Sequence, residues 1–265
     1  MTIDATASVH PSAVVTKGAV IGAGAVIGPF AIIGAEVTLG ARVEVKSHAV
    51  VTGWTDIGAG SVVFPFASVG EVPQDLKYHG ERTRLIVGAR CRIREGATLN
   101  TGTEGGGGVT RVGDDCLFMT GAHVGHDAEV GNRVIMANQA ALGGHCVIGD
   151  DVIIGGLAGI HQWVRVGAGA IIGALTMVTN DVIPHGLVQG PRGELEGLNL
   201  VGLKRRGVDR AEIAALRDAY AALASGDGAF VERAERLAAA TQSPLVRQIT
   251  TFILSSTERN FLTPK

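Results

Sequence analysis

An aliphatic residue recurs at every sixth position from the start of the chain: Ile3, Val9, Val15, Ile21, Ile27, Ile33, Leu39, Val45, Val51, Ile57, Val63 and Val69. The series lapses at Asp75 and Glu81, resumes in phase at Val87, Ile93 and Leu99, and returns one residue out of step at Val112. It then runs through Phe118, Val124, Val130, Met136, Leu142, Ile148, Ile154, Ile160, Val166 and Ile172 to Val178. Gly often follows the anchor, as in Ile21-Gly22 and Ile148-Gly149. One inward anchor per six residues with a Gly-tolerant bend describes short strands joined by tight turns and stacked rung on rung, a parallel β-helix. Side chains alternate faces along a strand, so a second inward slot lies two residues before each anchor. Small residues fill it, among them Ala19, Ala25, Ala122, Ala128, Ala158 and Ala170.

The lapses mark departures from the prism. Residues 72–84 are too polar for a rung and are expected to leave it as a loop; residues 100–111, with Gly105 to Gly108, form a second excursion that accounts for the phase slip. Long loops on a rigid solenoid commonly carry function. The repeat ends near Pro184, which assigns residues 1–190 to the β-helix and 191–208 to a connection. Residues 209–265 switch to helical spacing. Asp209 with Glu212 can form a capping box ahead of Ile213, Leu216, Tyr220 and Leu223. Gly226-Asp227-Gly228 breaks the chain, a second helix carries Phe230, Ala234 and Leu237, and Ser243-Pro244 opens a third with Ile249, Phe252 and Ile253 inward. The fold class is thus mainly β with a small C-terminal helical domain.

Composition narrows the function. A formal charge of -2 gives no global attraction to nucleic acid. No apolar run reaches the roughly 18 residues that a membrane span needs. The N-terminus lacks the basic and apolar regions of a signal peptide, and three cysteines cannot all pair with one another, which fits a reducing cytoplasm. Cys91, Cys116 and Cys146 each stand in the inward small slot and read as core packing, not as nucleophiles.

Candidate chemistry gathers on one edge. Taken modulo 18, the length of three hexads, His123, His161, His126 and His145 fall at 15, 17, 0 and 1, so successive coils place all four near one prism edge. None occupies an inward slot, so their rings should lie outside the core. A histidine acting as general base on a substrate hydroxyl is the economical chemistry for such a cluster, with Asp127 to orient the ring. Gly143-Gly144 allows backbone N–H groups to approach a developing oxyanion. The Gly105 to Gly108 run lacks the Lys and Ser/Thr of a phosphate-binding loop and reads as a flexible connector.

The Gln74-Asp75-Leu76-Lys77-Tyr78 loop, His123-Val124-Gly125-His126-Asp127, Gly144-His145, His161-Gln162 and the Asn199 to Gly207 segment together resemble the UDP-N-acetylglucosamine acyltransferases, within the hexapeptide-repeat transferases. The resemblance covers essentially the whole chain. It implies a left-handed, triangular prism that assembles as a homotrimer with its site between neighbours. It also implies transfer of a 3-hydroxyacyl group from acyl carrier protein to the 3-hydroxyl of UDP-N-acetylglucosamine, with no metal or bound cofactor. On the matching positions His126 would be the base, Asp127 its orienter and Gly144 N–H the oxyanion donor. Gln74, Asp75, Lys77, His123, His145, His161, Gln162, Asn199 and Arg205 would contact the sugar nucleotide or the acyl donor. Ala174 would limit the length of the acyl chain. Val201 and Arg192 depart from the family pattern near the nucleotide. Two other classes use such a prism: a γ-type carbonic anhydrase, whose histidines would hold zinc, and a purely structural repeat protein. The first would not need Lys77 or the basic Lys204-Arg205-Arg206 run, and the second would not need the histidine edge or the polar loop.

Overall fold

A computed structural model of the chain describes residues 2–255, 257 and 259–264. Short parallel strands, most of two residues, stack into three sheets of 9, 11 and 9 strands that form the three faces of a left-handed prism. One anchor from each strand points inward. Ile21, Ile27, Ile33, Leu39 and Val45, on successive faces, are each at most 1% exposed, with the fully buried Ala19, Ala25 and Ala31 in the small slots beside them. The three cysteines are buried and free, packed in that same slot.

From Thr98 onward the register runs unbroken along the third face. Thr98, His123, Ala141, Gly159 and Met177 pair in succession and point outward, while Leu99, Val124, Leu142, Ile160 and Val178 point inward beside them. Corners between faces need a left-handed residue, and non-glycine side chains occupy many of them, including Asp127, His145 and Trp163 at φ of 57°, 61° and 68°. The strain is offset by rung-to-rung bonds at the corners: His145 N–H donates to His126 O at 2.9 Å and Trp163 N–H to Gly144 O at 3.1 Å. These bonds stack Asp127, His145 and Trp163 on one edge.

Both excursions leave the prism, with narrower bounds for the second than the sequence suggested. Strands Ser68–Glu71 and Arg84–Val87 bracket the first; the second leaves after Asn100, and pairing resumes at Val109. Pairing also continues past Pro184. Gly186–Gln189 adds to the second face beside Ile171–Ile172, and Glu194–Leu198 returns antiparallel to it, so the stretch expected as a plain connection contains a strand and a short helix. That helix, α1, spans Leu200–Arg205; α2, α3 and α4 span Arg210–Ala224, Phe230–Ala240 and Pro244–Leu254. The Asp209–Glu212 capping box does not form: Asp209 makes no side-chain cap bond, and Glu212 instead accepts from Ser243 Oγ at 2.7 Å, tying α2 to the start of α4. Ser243 Oγ also caps α4 by accepting from Val246 N–H. Among the described residues no helix is long and apolar enough to cross a membrane.

Candidate active site

Asp127 lies at the centre of the site with its side chain 1% exposed. Its Oδ1 accepts from Thr103 N–H at 2.7 Å, and its Oδ2 from Thr103 Oγ1 at 2.6 Å and His126 Nδ1 at 2.8 Å. Its own N–H donates to Thr110 Oγ1 at 2.8 Å. A carboxylate only accepts, so His126 Nδ1 carries the proton in this contact, and in the neutral ring the lone pair is on Nε2. That is the tautomer a base needs.

The second excursion is the lid on this arrangement rather than a flexible connector. Glu104–Gly106 forms a turn of 3₁₀ helix, closed by Gly108 N–H donating to Thr103 O at 2.7 Å. A Cβ at Gly106 would come within 2.1 Å of the Asp127 carboxylate carbon, so only glycine lets the turn sit this close. The four rings lie outside the hydrophobic core and line the concavities, but His126 is only 6% exposed at the corner it shares with Asp127. Gly144 makes the other close approach, where a Cβ would lie 2.4 Å from the His126 ring. Gly143 N–H is spent on Ile160 O, while Gly144 N–H makes no hydrogen bond among the described residues.

The remaining histidines surround the pair in different states. His145 meets His126 edge to face at 4.9 Å and stacks on Trp163 at 3.8 Å, with planes 6° apart. Burial pushes the His145 ring below its usual range, against the opposing pull of Asp127. Burial and the charge of His126 likewise lower His123, whose Nδ1 meets Thr98 Oγ1 at 2.8 Å. His161 is exposed, and its Nδ1 accepts from Arg259 Nη2 at 2.7 Å.

Two concavities flank this cluster. One of about 610 Å³ is lined by Asp75, Lys77, Thr103, His145 and Trp163; the other, of about 430 Å³, runs along the third face past Gln74, His123, His126, Gly144, His161, Gln162 and Met177. Nine candidate residues in these linings thus come together within one chain, with Asp127 directly behind His126. Asn199 and Arg205 do not join them: with Arg133, Ile153 and Ile171 they line a cleft of about 220 Å³ over the second face. Asn199 is 5% exposed and caps α1, its Oδ1 accepting from Gly202 N–H while its Nδ2 donates to Gly169 O. Ala174 is exposed on the edge between the second and third faces, beside Leu175.

Thr103, Thr110, Trp163 and Arg259 were absent from the sequence candidates, as was Asn100. The amide of Asn100 donates to Glu71 O and Val72 O at the base of the first loop, and its buried Oδ1 has no partner among the described residues. His126, Asp127 and His145 offer donor atoms within 4.8 Å of one another, a set that could hold a metal ion. Thr103 and His126 already engage three of the roughly four lone-pair sites of the Asp127 carboxylate, so the set reads first as a hydrogen-bonded pair.

Comparison with known proteins agrees with both halves of the chain. Residues 181–262 match the family model for domain 2 of UDP-N-acetylglucosamine O-acyltransferase, and residues 18–53 and 145–180 match the bacterial transferase hexapeptide model. The acyl-[acyl-carrier-protein]–UDP-N-acetylglucosamine O-acyltransferase of Paracoccus denitrificans is 63% identical over 195 residues, 74% of each chain. Its counterpart in Rhizobium etli is 48% identical over 99% of this chain and 97% of its own. Among solved structures, the UDP-N-acetylglucosamine acyltransferase from Campylobacter jejuni superposes with a TM-score of 0.91 at 38% identity, covering 96% of this chain and 99% of its own. The Francisella novicida enzyme gives 0.88 at 31% identity, over 100% and 94%.

Proposed function

The chain belongs to the UDP-N-acetylglucosamine O-acyltransferase family, and from that premise we propose that it transfers a 3-hydroxyacyl group from acyl carrier protein to the glucosamine 3-hydroxyl of UDP-N-acetylglucosamine, the reaction that opens lipid A biosynthesis. The carrying observation is the His126–Asp127 pair, bonded through Nδ1 in the lining of the third-face groove and beside His145, which lines the other concavity. In this reading Nε2 takes the proton of the 3-hydroxyl as its oxygen attacks the thioester carbonyl. The oxyanion forms against Gly144 N–H. Collapse expels the carrier thiolate, which recovers the proton from the imidazolium. No acyl-enzyme is needed, and buried thiols argue against one: burial pushes Cys146 up to about 12.

Lys77 and Arg205 serve anionic groups on the substrates, and Gln74, Asp75, His123, His145, His161, Gln162 and Asn199 complete the binding surfaces. Because Arg205 and Asn199 face a different side of the prism from His126, a complete site requires a neighbouring copy. The edge between the second and third faces suits such an interface: Phe66 and Leu175 are 68% and 67% exposed, and Phe30, Leu157 and Met177 extend the apolar ridge. A homotrimer in the cytoplasm follows from this reading. UDP-N-acetylglucosamine, without added metal, should raise the melting temperature, and Lys77→Ala should weaken that shift and raise a substrate KM more than it lowers kcat. A shift dependent on zinc, with none from the nucleotide, favours the hydratase reading instead.

The groove on the third face is the natural place for the acyl chain, and Met177 lines it, its terminal methyl 3.3 Å from where a Cβ on Gly159 would stand. We place the length limit at Ala174 together with Met177. Ala174→Gly and Met177→Ala should each favour longer donors in a competition assay, by an effect of about 1–3 kcal/mol per methylene of fit.

A further inference from the structure

His185 is a buried imidazole that the chemistry above does not use, and it contacts both ends of α1. Its main-chain carbonyl accepts from Asn199 N–H at 2.6 Å, at the start of the helix. Its ring Nδ1 accepts from Arg206 Nη2 at 3.4 Å, at the helix end, while Nε2 donates to Gln248 Oε1 of α4 at 2.9 Å. An amide oxygen and a guanidinium can be served together by one neutral tautomer only, with the proton on Nε2. Between its two held ends α1 presents Val201 and Arg205 to the cleft that Arg133 and Arg206 also line.

We propose that His185 is a positioning residue for substrate binding: in its neutral form it holds α1 so that Arg205 and Arg206 meet the diphosphate of a sugar nucleotide, and protonation of its ring loosens that cleft. The inference rests on the function proposed above. A proton on Nδ1 removes the acceptor for Arg206 and sets a second cation 3.4 Å from its guanidinium. The charged groups facing the ring are Arg206 at the end of α1 and Asp151 at the prism corner, the latter already held by Arg133; α4 offers only the Gln248 amide. Burial pushes the His185 ring below its usual range, and Arg206 adds to this against Gln248 and Asp151. The neutral, positioning form is therefore complete above the ordinary histidine range and is lost as pH falls through the lowered value.

Calorimetric titration of UDP-N-acetylglucosamine into the intact protein at pH 7.5 and 5.5 tests this, with melting temperatures measured alongside. The wild type should lose affinity roughly five-fold on acidification. His185→Asn keeps an acceptor toward Arg206, tolerates the φ of 61° and cannot titrate, so its affinity should change less than about two-fold over the same interval. His185→Ala, with no acceptor, should bind more weakly than His185→Asn at both pH values. Equal acid sensitivity in wild type and His185→Asn overturns the proposal, as does full affinity in a folded His185→Ala. Absence of nucleotide binding to the wild type at pH 7.5 instead removes the functional reading beneath it.

Discussion

His126→Ala is expected to lower turnover by roughly 100- to 10,000-fold while the prism stays folded. Among the described residues, the ring is the imidazole that is bonded to the buried Asp127 carboxylate at 2.8 Å and also lines the third-face groove. Its neighbours cannot substitute. His145 contacts Asp127 at 3.7 Å and is held flat against Trp163, while His123 is engaged by Thr98. The stability cost should be modest, about 1–2 kcal/mol, because Thr103 keeps two bonds to Asp127 after the ring is gone. Steady-state rates at saturating donor and acceptor, together with a melting curve, read both effects. Near-normal turnover in a folded variant would remove His126 from the chemistry.

Asp181→Ala should cause the largest loss of stability, about 3–5 kcal/mol, by breaking a buried ion pair from one side. Asp181 is fully buried, its Oδ2 accepts from Arg165 Nε at 2.7 Å and from Thr257 Oγ1 at 2.5 Å, and its Oδ1 accepts from Arg165 N–H. Arg165 continues the link, donating to Ser255 Oγ and lying over the Phe252 ring. This network fastens the C-terminal segment to the last coil of the prism, so its loss should free the helical domain first. A fall in melting temperature of roughly 10 °C, with faster proteolysis after α4, is the expected signature. A melting temperature within a degree of the wild type would show that the packing of α4 alone holds the tail.

The prism was legible because its one rule, an inward anchor every six residues, is enforced at each rung by the same core. Even Phe118 and Met136, the odd members of the anchor series, are fully buried. The hairpin after Pro184 escaped because its second strand pairs antiparallel and obeys a period of two, with Leu195 alone buried between Glu194 and Glu196. The histidine edge was legible by counting in coils. The same counting would have found Trp163, which shares a remainder of 1 with Asp127 and His145 and stacks where that arithmetic puts it. Thr103 and Gly106 left no such trace, since they lie in an excursion whose path is set by tertiary contact with Asp127 and not by any period. Arg259 is further removed still, arriving from the far end of the chain.

Direct transfer is tested most squarely by rapid-quench analysis of enzyme in slight excess over 3-hydroxyacyl carrier protein, with and without UDP-N-acetylglucosamine. The expected result is one equivalent of 3-O-acylated nucleotide per carrier thiol released, no acyl group on the protein at any time, and no thiol release when the nucleotide is left out. Thiol release without the nucleotide, accompanied by acyl groups bound to the enzyme, would contradict a histidine base acting on the acceptor hydroxyl.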